Sequence, residues 1–216
     1  MLGGRIDVLD QGQDLGPGVY RIINYAGELT NNGLQIGTYT DASGTTTRTL
    51  PNFSVQTVVP GQVNLINTTG LSLNYWDGSG DAATRNNNLI DGGDGTWFRE
   101  GPDATSAWTD PTGAVNAPWA DGEFAIFIGA PGTVTASNAD GQITVSGMQF
   151  GVDGYLLQGD PLLLVGTAAA PDESLIRVGD GTGAGAGMTA TISAPLAGTT
   201  LLRKTDAGTL IFSGLN

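Results

Sequence analysis

The side chains that most often carry out acid–base and nucleophilic chemistry are scarce in this chain. Histidine and cysteine are both absent, and lysine occurs once, as Lys204. Ser-His-Asp and Cys-His arrangements, thiolate metal sites and disulfides are therefore excluded. Paired carboxylates remain, with Asp121–Glu123 and Asp172–Glu173 nearest in sequence. Such pairs serve polysaccharide hydrolases and lyases, but neither comes with a basic residue to activate a sugar acid, and carboxylates in turns are usually only solvated.

More acidic residues surround the loop that begins at Asp77, namely Asp81, Asp91 and Asp94. The Asp-x-Ser-x-Asp spacing from Asp77 resembles the start of a calcium loop, but the twelfth position is Asn88 instead of a bidentate Glu. Asp precedes Gly seven times in the chain, and this dipeptide makes tight reversals at positive φ. We therefore interpret the acidity as turn chemistry and expect neither a metal nor a cofactor.

The four tryptophans are the binding candidates that the sequence offers, and all of them fall between residues 76 and 119: Trp76, Trp97, Trp108 and Trp119. One hypothesis is an aromatic platform on which a sugar or a receptor stacks. The other is that the indoles fill the interior of the fold, since each buries a large area and stands in an apparent strand. Interior packing is the favoured interpretation.

The amino-acid composition limits the classes of partner that the chain can bind. The net charge is −13, and only 13% of the residues are charged, whereas glycine occurs 35 times. A chain this acidic repels phosphate backbones and anionic membrane surfaces, so we expect no nucleic-acid partner. The chain has no apolar run of transmembrane length, and its start, Met1 to Gly4, lacks a basic and apolar leader. If the protein is exported, we expect this sequence to be an excerpt of a longer precursor.

The elements that must position these residues are strands. Apolar residues alternate with Ser, Thr and Asn, which indicates strands with one buried face. In the first part of the chain the predicted strands are 19–25, 53–59 and 63–73, joined by the polar stretch 38–48. From residue 132 onward, the predicted strands begin at Thr133, Ile143, Tyr155, Leu162, Leu175, Met188, Leu201 and Thr209. Both an antiparallel sandwich and a parallel β-helix fit such a string, and the short gap between 155–159 and 162–166 favours the β-helix modestly.

The C-terminal tail Leu201–Asn216, LLRKTDAGTLIFSGLN, resembles the autotransporter-associated β-strand repeat of bacterial autotransporter passengers. Its matching core runs from Lys204 to Leu210, with Asp206 where the family often has Gly, and its Ser-Gly-x-Asn ending is Ser213, Gly214 and Asn216. The usual continuation would follow Asn216, so we expect the chain to be cut within a repeat. The segments GGDGTW (92–97), AWTD (107–110) and PWADGEFAIF (118–127) are similar to the tryptophan-bearing strands of such passengers.

The resemblance implies an all-β, right-handed parallel β-helix (a solenoid) with Gly-rich loops, in three parts: 1–74, a β segment of the same kind; 75–131, rich in Trp and Gly; and 132–216, coils ending in the repeat. It also implies a non-catalytic, adhesive or structural passenger at the cell surface or outer membrane, or secreted after release, with a role in virulence. The implied partners are host surface or matrix components, another passenger chain, and a C-terminal outer-membrane β-barrel of the same precursor. A β-helical carbohydrate-active enzyme using carboxylates is the alternative. The residues expected to form inward ladders are Leu162, Leu164, Ile176, Val178, Ile192, Leu202, Leu210 and Phe212.

Overall fold

The computed structural model describes residues 2–11, 15–47, 50–79, 81–99 and 106–214. These residues are all-β, as predicted, and their only helix is the short 3-10 helix Gly183–Gly187. Nowhere in these ranges is a helix long and apolar enough to cross a membrane. The strands β1 to β21 are, in order, Leu2–Leu9, Gly18–Asn24, Asn31–Thr40, Thr46–Thr47, Phe53–Gln56, Gln62–Asn67, Leu73–Trp76, Gly95–Phe98, Trp108–Thr109, Asn116–Ala117, Phe124–Phe127, Thr133–Ser137, Thr144–Val145, Gly147–Phe150, Tyr155–Gly159, Leu162–Leu164, Glu173–Val178, Thr189–Ile192, Leu196–Ala197, Leu201–Thr205 and Thr209–Phe212.

Alternation of residue types produces the strands of the C-terminal part. In β12, Val134 and Ala136 are buried while Thr133 and Thr135 remain partly exposed. A strand places successive side chains on opposite faces, so this pattern gives the sheet one apolar and one polar surface. The turns between strands use Asp-Gly as predicted, because six of the seven glycines concerned adopt positive φ. The seventh, Gly95, begins β8 instead.

Three sheets in the C-terminal part of the chain are built by parallel pairing between strands that lie three elements apart. The first contains β11, β14, β17 and β20, the second β12, β15, β18 and β21, and the third β13, β16 and β19. Strand register places like residues beside each other: Phe127 pairs with Phe150, and their rings stack at a centroid distance of 4.8 Å with 8° between planes. This distance equals the usual spacing of neighbouring strands.

The first of these sheets has seven strands, in the order β10-β9-β7-β11-β14-β17-β20, and its strands β11, β14 and β17 are buried on both faces. Ala125 and Phe127 of β11 point into the main apolar core that the three sheets share. Phe124 and Ile126 of the same strand point into a second core on the opposite side. Because both faces are covered, β11 carries four apolar residues in a row and shows no polar alternation.

The second core is covered by the N-terminal part of the chain. Strands β2, β6 and β5 form an antiparallel sheet, and Val19 and Ile66 from it pack against Leu73, Phe124 and other outward residues of the seven-stranded sheet. A further small sheet, in the order β1-β3-β4, pairs β1 with β3 in parallel.

Some expected boundaries differ from those observed. The single strand predicted over 63–73 is two strands, β6 and β7, because Thr69 and Gly70 adopt positive φ and turn the chain. The stretch 38–48 is not merely a polar connection, since β3 extends to Thr40 and pairs with β1. Strand β1 itself was not predicted.

The expected ladder residues join the main core, with one exception. Leu162, Leu164, Ile176, Val178 and Ile192 are buried in it, and Leu202 and Leu210 pack against it. Phe212 stands beside the buried Ile192 in the register, as a ladder residue would, but it is 44% exposed and not buried in the core. The reason is its position on β21, which is the edge strand of its sheet.

Candidate functional site

The four tryptophans form one buried cluster at the β8 end of the main core. None of the four side chains is more than 3% exposed. Trp97 lies 4.8 Å from both Trp108 and Trp119 between ring centroids, and Trp108 lies 4.6 Å from Trp119 and 5.3 Å from Trp76. Most pairs meet edge to face or tilted, which is the geometry that aromatic quadrupoles prefer. The four indoles therefore cover one another's ring faces. Stacking of a ligand on these faces stays a prediction, and it would require the cluster to open.

Different elements position the four indoles. Trp76 ends β7, Trp97 lies in β8 and Trp108 begins β9, while Trp119 stands in the connection before β11. Trp76 Nε1 donates to the carbonyl of Gly93 at 2.8 Å, and Trp119 Nε1 donates to the carbonyl of Thr144 at 3.0 Å.

The other two indole N–H groups have no such acceptor. Nε1 of Trp97 and Nε1 of Trp108 are buried, and neither finds a hydrogen-bond partner among the described residues. The neighbouring ring faces, less than 5 Å away between centroids, are the weak acceptors that remain for these donors.

The carboxylates of the Asp-rich loop accept hydrogen bonds from backbone N–H groups and from one asparagine side chain. Asp77 is fully buried, and its carboxylate accepts the N–H of Asp91 and the Asn116 side-chain amide, both at 2.8 Å. Burial raises the pKa of Asp77, and the two hydrogen bonds oppose that rise. Asp94 in turn accepts the N–H of Thr133 at 2.6 Å. These contacts join the loop to neighbouring strands.

Asp81 belongs to the exposed tip of the same loop. The backbone N–H of Ala83, with the Ser79 hydroxyl and the N–H of Thr84, lowers the pKa of Asp81. Within the described residues, no three acidic side chains come together to hold a metal ion. The arrangement is that of hydrogen-bonded turns.

The two members of the first carboxylate pair bind different residues and do not act on a common site. Asp121 forms an ion pair with Arg99, whereas Glu123 accepts a hydrogen bond from the Asn74 amide. Partial burial raises the pKa of Glu123, opposed by a hydrogen bond from Ser72.

In the second pair, Glu173 is bound to Arg203 at 2.7 Å, and Asp172 is exposed. Retaining and inverting glycosidases need two carboxyls facing one bond of the substrate. Neither pair is built into a shared cavity of that kind in the part of the chain that the structure describes.

A buried, hydrogen-bonded seam joins distant parts of the chain, and sequence reasoning missed it. Gln149 of β14 is fully buried, and its amide pairs with the backbone of Val19 in β2: Oε1 accepts the Val19 N–H at 2.7 Å, and Nε2 donates to the Val19 carbonyl at 2.8 Å. The same Nε2 donates to the Gly179 carbonyl at 2.9 Å. The side chain thus supplies the two hydrogen bonds that a neighbouring strand would give.

Arg177 of β17 completes this seam. Its guanidinium donates to the Pro17 carbonyl at 2.7 Å and to Asp206 Oδ2 at 2.9 and 3.1 Å, and it lies 4.2 Å from the ring centre of Tyr20. Gly18 runs past so closely that a Cβ would stand 2.3 Å from Gln149 Oε1 and 2.4 Å from Arg177 Nη1. Buried polar side chains at outward positions of apolar strands were the available signal, since such groups need partners.

Comparison with known proteins adds one informative match. The whole chain is 47% identical, over 216 residues, to a segment of the Adhesin BmaC autotransporter of Brucella suis biovar 1 (strain 1330). The chain spans only 6% of that relative's length. No protein-family model matches the chain, and no solved structure matches it. The match confirms the predicted resemblance to autotransporter passengers: from end to end, this chain is similar to a segment of an autotransporter adhesin.

Proposed function

We propose that this chain is a structural and adhesive segment of a surface-exposed autotransporter passenger, and that it is non-catalytic. The observation that carries the proposal is the 47% identity to an adhesin autotransporter over the full 216 residues. The segment acts at the cell surface or outer membrane, within a precursor that has a C-terminal outer-membrane β-barrel. Its adhesive contacts are with host surface or matrix components or with another passenger chain. Through these contacts it contributes to virulence.

The architecture we propose is a right-handed parallel β-helix, in which β11–β12–β13, β14–β15–β16 and β17–β18–β19 are successive coils. Parallel pairing of each strand with the one three elements later supports it, as does the stacking of Phe127 on Phe150. Crossover connections between parallel strands are almost always right-handed. A stack of this kind suits a stalk, because each coil is held mainly by its two neighbours and length can be added without a larger core.

The division into 1–74, 75–131 and 132–216 belongs to the same proposal. The parallel pairing of β1 with β3 supports coil-like geometry in the first part, although the antiparallel sheet of β2, β6 and β5 departs from it. The buried tryptophan cluster lies in the second part, and we assign it to padding the end of the core. The third part contains the strands β12 to β21.

The experiment is an attachment assay combined with a turnover assay. Beads coated with the purified chain are expected to attach to cultured host cells or to extracellular matrix more than beads coated with albumin or with the heat-unfolded chain. The same preparation is expected to release no oligosaccharides or unsaturated products from polyuronates and neutral glycans. Release of products that is lost in the Asp121→Asn and Glu123→Gln double variant would refute the non-catalytic role, and attachment no greater than that of albumin would refute the adhesive one.

A further inference from the structure

A cleft of about 680 Å³, lined by both polar and apolar groups, lies where the N-terminal sheet meets the C-terminal turns. Leu15 and Tyr20 line one side, Gly179, Gly181, Thr182 and Gly185 line the second, and Thr205, Asp206 and Ala207 line the third. The depth of the cleft comes from its small residues, since glycine and alanine leave backbone where longer side chains would fill the space. Its volume is within the range of sites that hold small ligands.

The walls of the cleft are fixed by the buried Arg177. Its side chain is 2% exposed and binds Asp206 through two nitrogen atoms while its guanidinium lies over the ring of Tyr20. Asp206 itself adopts φ +61°, a left-handed conformation that is unfavourable for most non-glycine residues. Three N–H groups of Arg177 are bound to Asp206 and to the Pro17 carbonyl, so Asp206 is held in place and the cleft has a defined shape before any ligand arrives.

The polar groups of the cleft are mostly hydrogen-bond acceptors. The two N–H groups that Arg177 donates to Asp206 both reach Oδ2, and no described residue donates to Oδ1, which leaves that oxygen for a ligand. The hydroxyl of Thr182 already donates to Asp180 Oδ1 at 2.7 Å, so its lone pairs remain to accept. Thr205 adds a hydroxyl that can both donate and accept. A matching ligand must therefore present several donors.

The charge of the chain favours some classes of ligand rich in hydrogen-bond donors over others. The chain carries −13 overall, which disfavours anions. The charge of Asp206 is compensated by Arg177, and no cluster of three acidic groups exists in the described residues, so the cleft is not built to bind a cation. Hydroxyl groups on a neutral ring meet both conditions, and the partly exposed Tyr20 adds apolar ring surface to the wall.

From this geometry we propose that the cleft binds an uncharged saccharide, with Asp206 Oδ1 and the hydroxyls of Thr182 and Thr205 accepting its hydroxyl protons. The proposal rests on the adhesive function proposed above and gives it a ligand class: a neutral glycan of a host surface or matrix.

The test is saturation-transfer NMR on the purified chain with glucose, galactose, mannose, N-acetylglucosamine, lactose and cellobiose, and with sialic acid and spermidine as charged comparators. At least one neutral sugar is expected to bind. Ala207→Trp, which fills the cleft from an exposed position, is expected to lower its affinity at least tenfold, and Thr205→Val to lower it by a smaller factor. Gly183→Ala is the matched control, because a Cβ at Gly183 would meet nothing within 4 Å. Urea midpoints equal to that of the unaltered chain verify that the variants are folded.

Three outcomes would overturn the proposal: no neutral sugar binds, sugar binding survives Ala207→Trp, or only spermidine or sialic acid binds. The adhesive function is judged separately, by the bead assay. A chain that binds sugar but attaches to no cell or matrix would refute the adhesive function and leave the saccharide site standing. A chain that attaches but binds no neutral sugar would refute the saccharide site and leave the adhesive function standing.

Discussion

Replacing Gln149 with Met is the sharpest perturbation of the seam between the N-terminal sheet and the seven-stranded sheet. Methionine has a similar length and volume but no amide, so the packing is nearly kept while three hydrogen bonds are lost. These bonds satisfy the N–H and carbonyl of Val19 and the carbonyl of Gly179. A buried backbone group left without a partner costs about 1–3 kcal/mol. Since such costs are not fully additive, we expect the free energy of unfolding to fall by about 3–5 kcal/mol.

Gln158→Met is the matched control. Gln158 lies on the partly exposed face of β15, where its amide makes one hydrogen bond, to Thr135 Oγ1 at 3.2 Å. Loss of a single exposed-side bond is expected to cost less than about 1 kcal/mol. The two variants therefore make the same chemical change in a buried seam and on an open surface.

Urea unfolding followed by tryptophan fluorescence and circular dichroism measures the loss for Gln149→Met, and hydrogen exchange at the Val19 amide locates it. The Val19 N–H is expected to exchange far faster in the Gln149 variant and at an unchanged rate in the Gln158 variant. Equal losses of stability in the two variants, or a protected Val19 amide in the Gln149 variant, would show that the seam is not held in the way described.

Two further predictions concern buried groups. Trp97→Ala removes a fully buried indole that contacts two others, so it is expected to lower the free energy of unfolding by about 3–5 kcal/mol in urea titrations; a loss below about 1 kcal/mol would contradict the buried packing. Because burial raises the pKa of Asp77, this acid favours the folded state when protonated, and its contribution is lost as pH rises from the unfolded value near 3.8 through the higher folded value. Asp77→Asn is therefore expected to gain stability relative to the unaltered chain as pH rises over that window; a variant whose stability relative to the unaltered chain stays constant or falls with rising pH would contradict the effect.

Local patterns were sufficient to predict the strands that have one buried face. The Val-x-Ala alternation of β12 is visible without a structure, and it reflects the two-residue period of a strand directly. The Asp-Gly turns were equally accessible, since positive φ is a property of the dipeptide and its immediate geometry. The resemblance of the tail to an autotransporter repeat, which is also a local pattern, predicted the class of protein.

The seam and the cleft could not be predicted in the same way, because they depend on contacts between distant residues. Gln149 bonds to Val19, which lies 130 positions earlier, and no local pattern specifies such a pair. One signal was nevertheless present: β11 reads Phe-Ala-Ile-Phe, and an uninterrupted apolar strand indicates that both faces of its sheet are covered. Identifying what covers it required the structure.

The most direct measurement of the central claim, that successive strands stack in parallel in the observed register, uses cysteine pairs, because the chain has no cysteine of its own. Thr135 and Gln158 are register partners on neighbouring strands, as are Thr191 and Ile211, so each pair is separated by about 5 Å. Thr135 and Ile211 lie three strands apart in the same sheet and two residues out of register, so they are separated by more than about 14 Å. With a short bifunctional thiol reagent, the first two double-cysteine variants are expected to cross-link within one chain and the third is expected not to. Cross-linking of the distant pair, or failure of both partner pairs in folded protein, would contradict the stacked parallel arrangement.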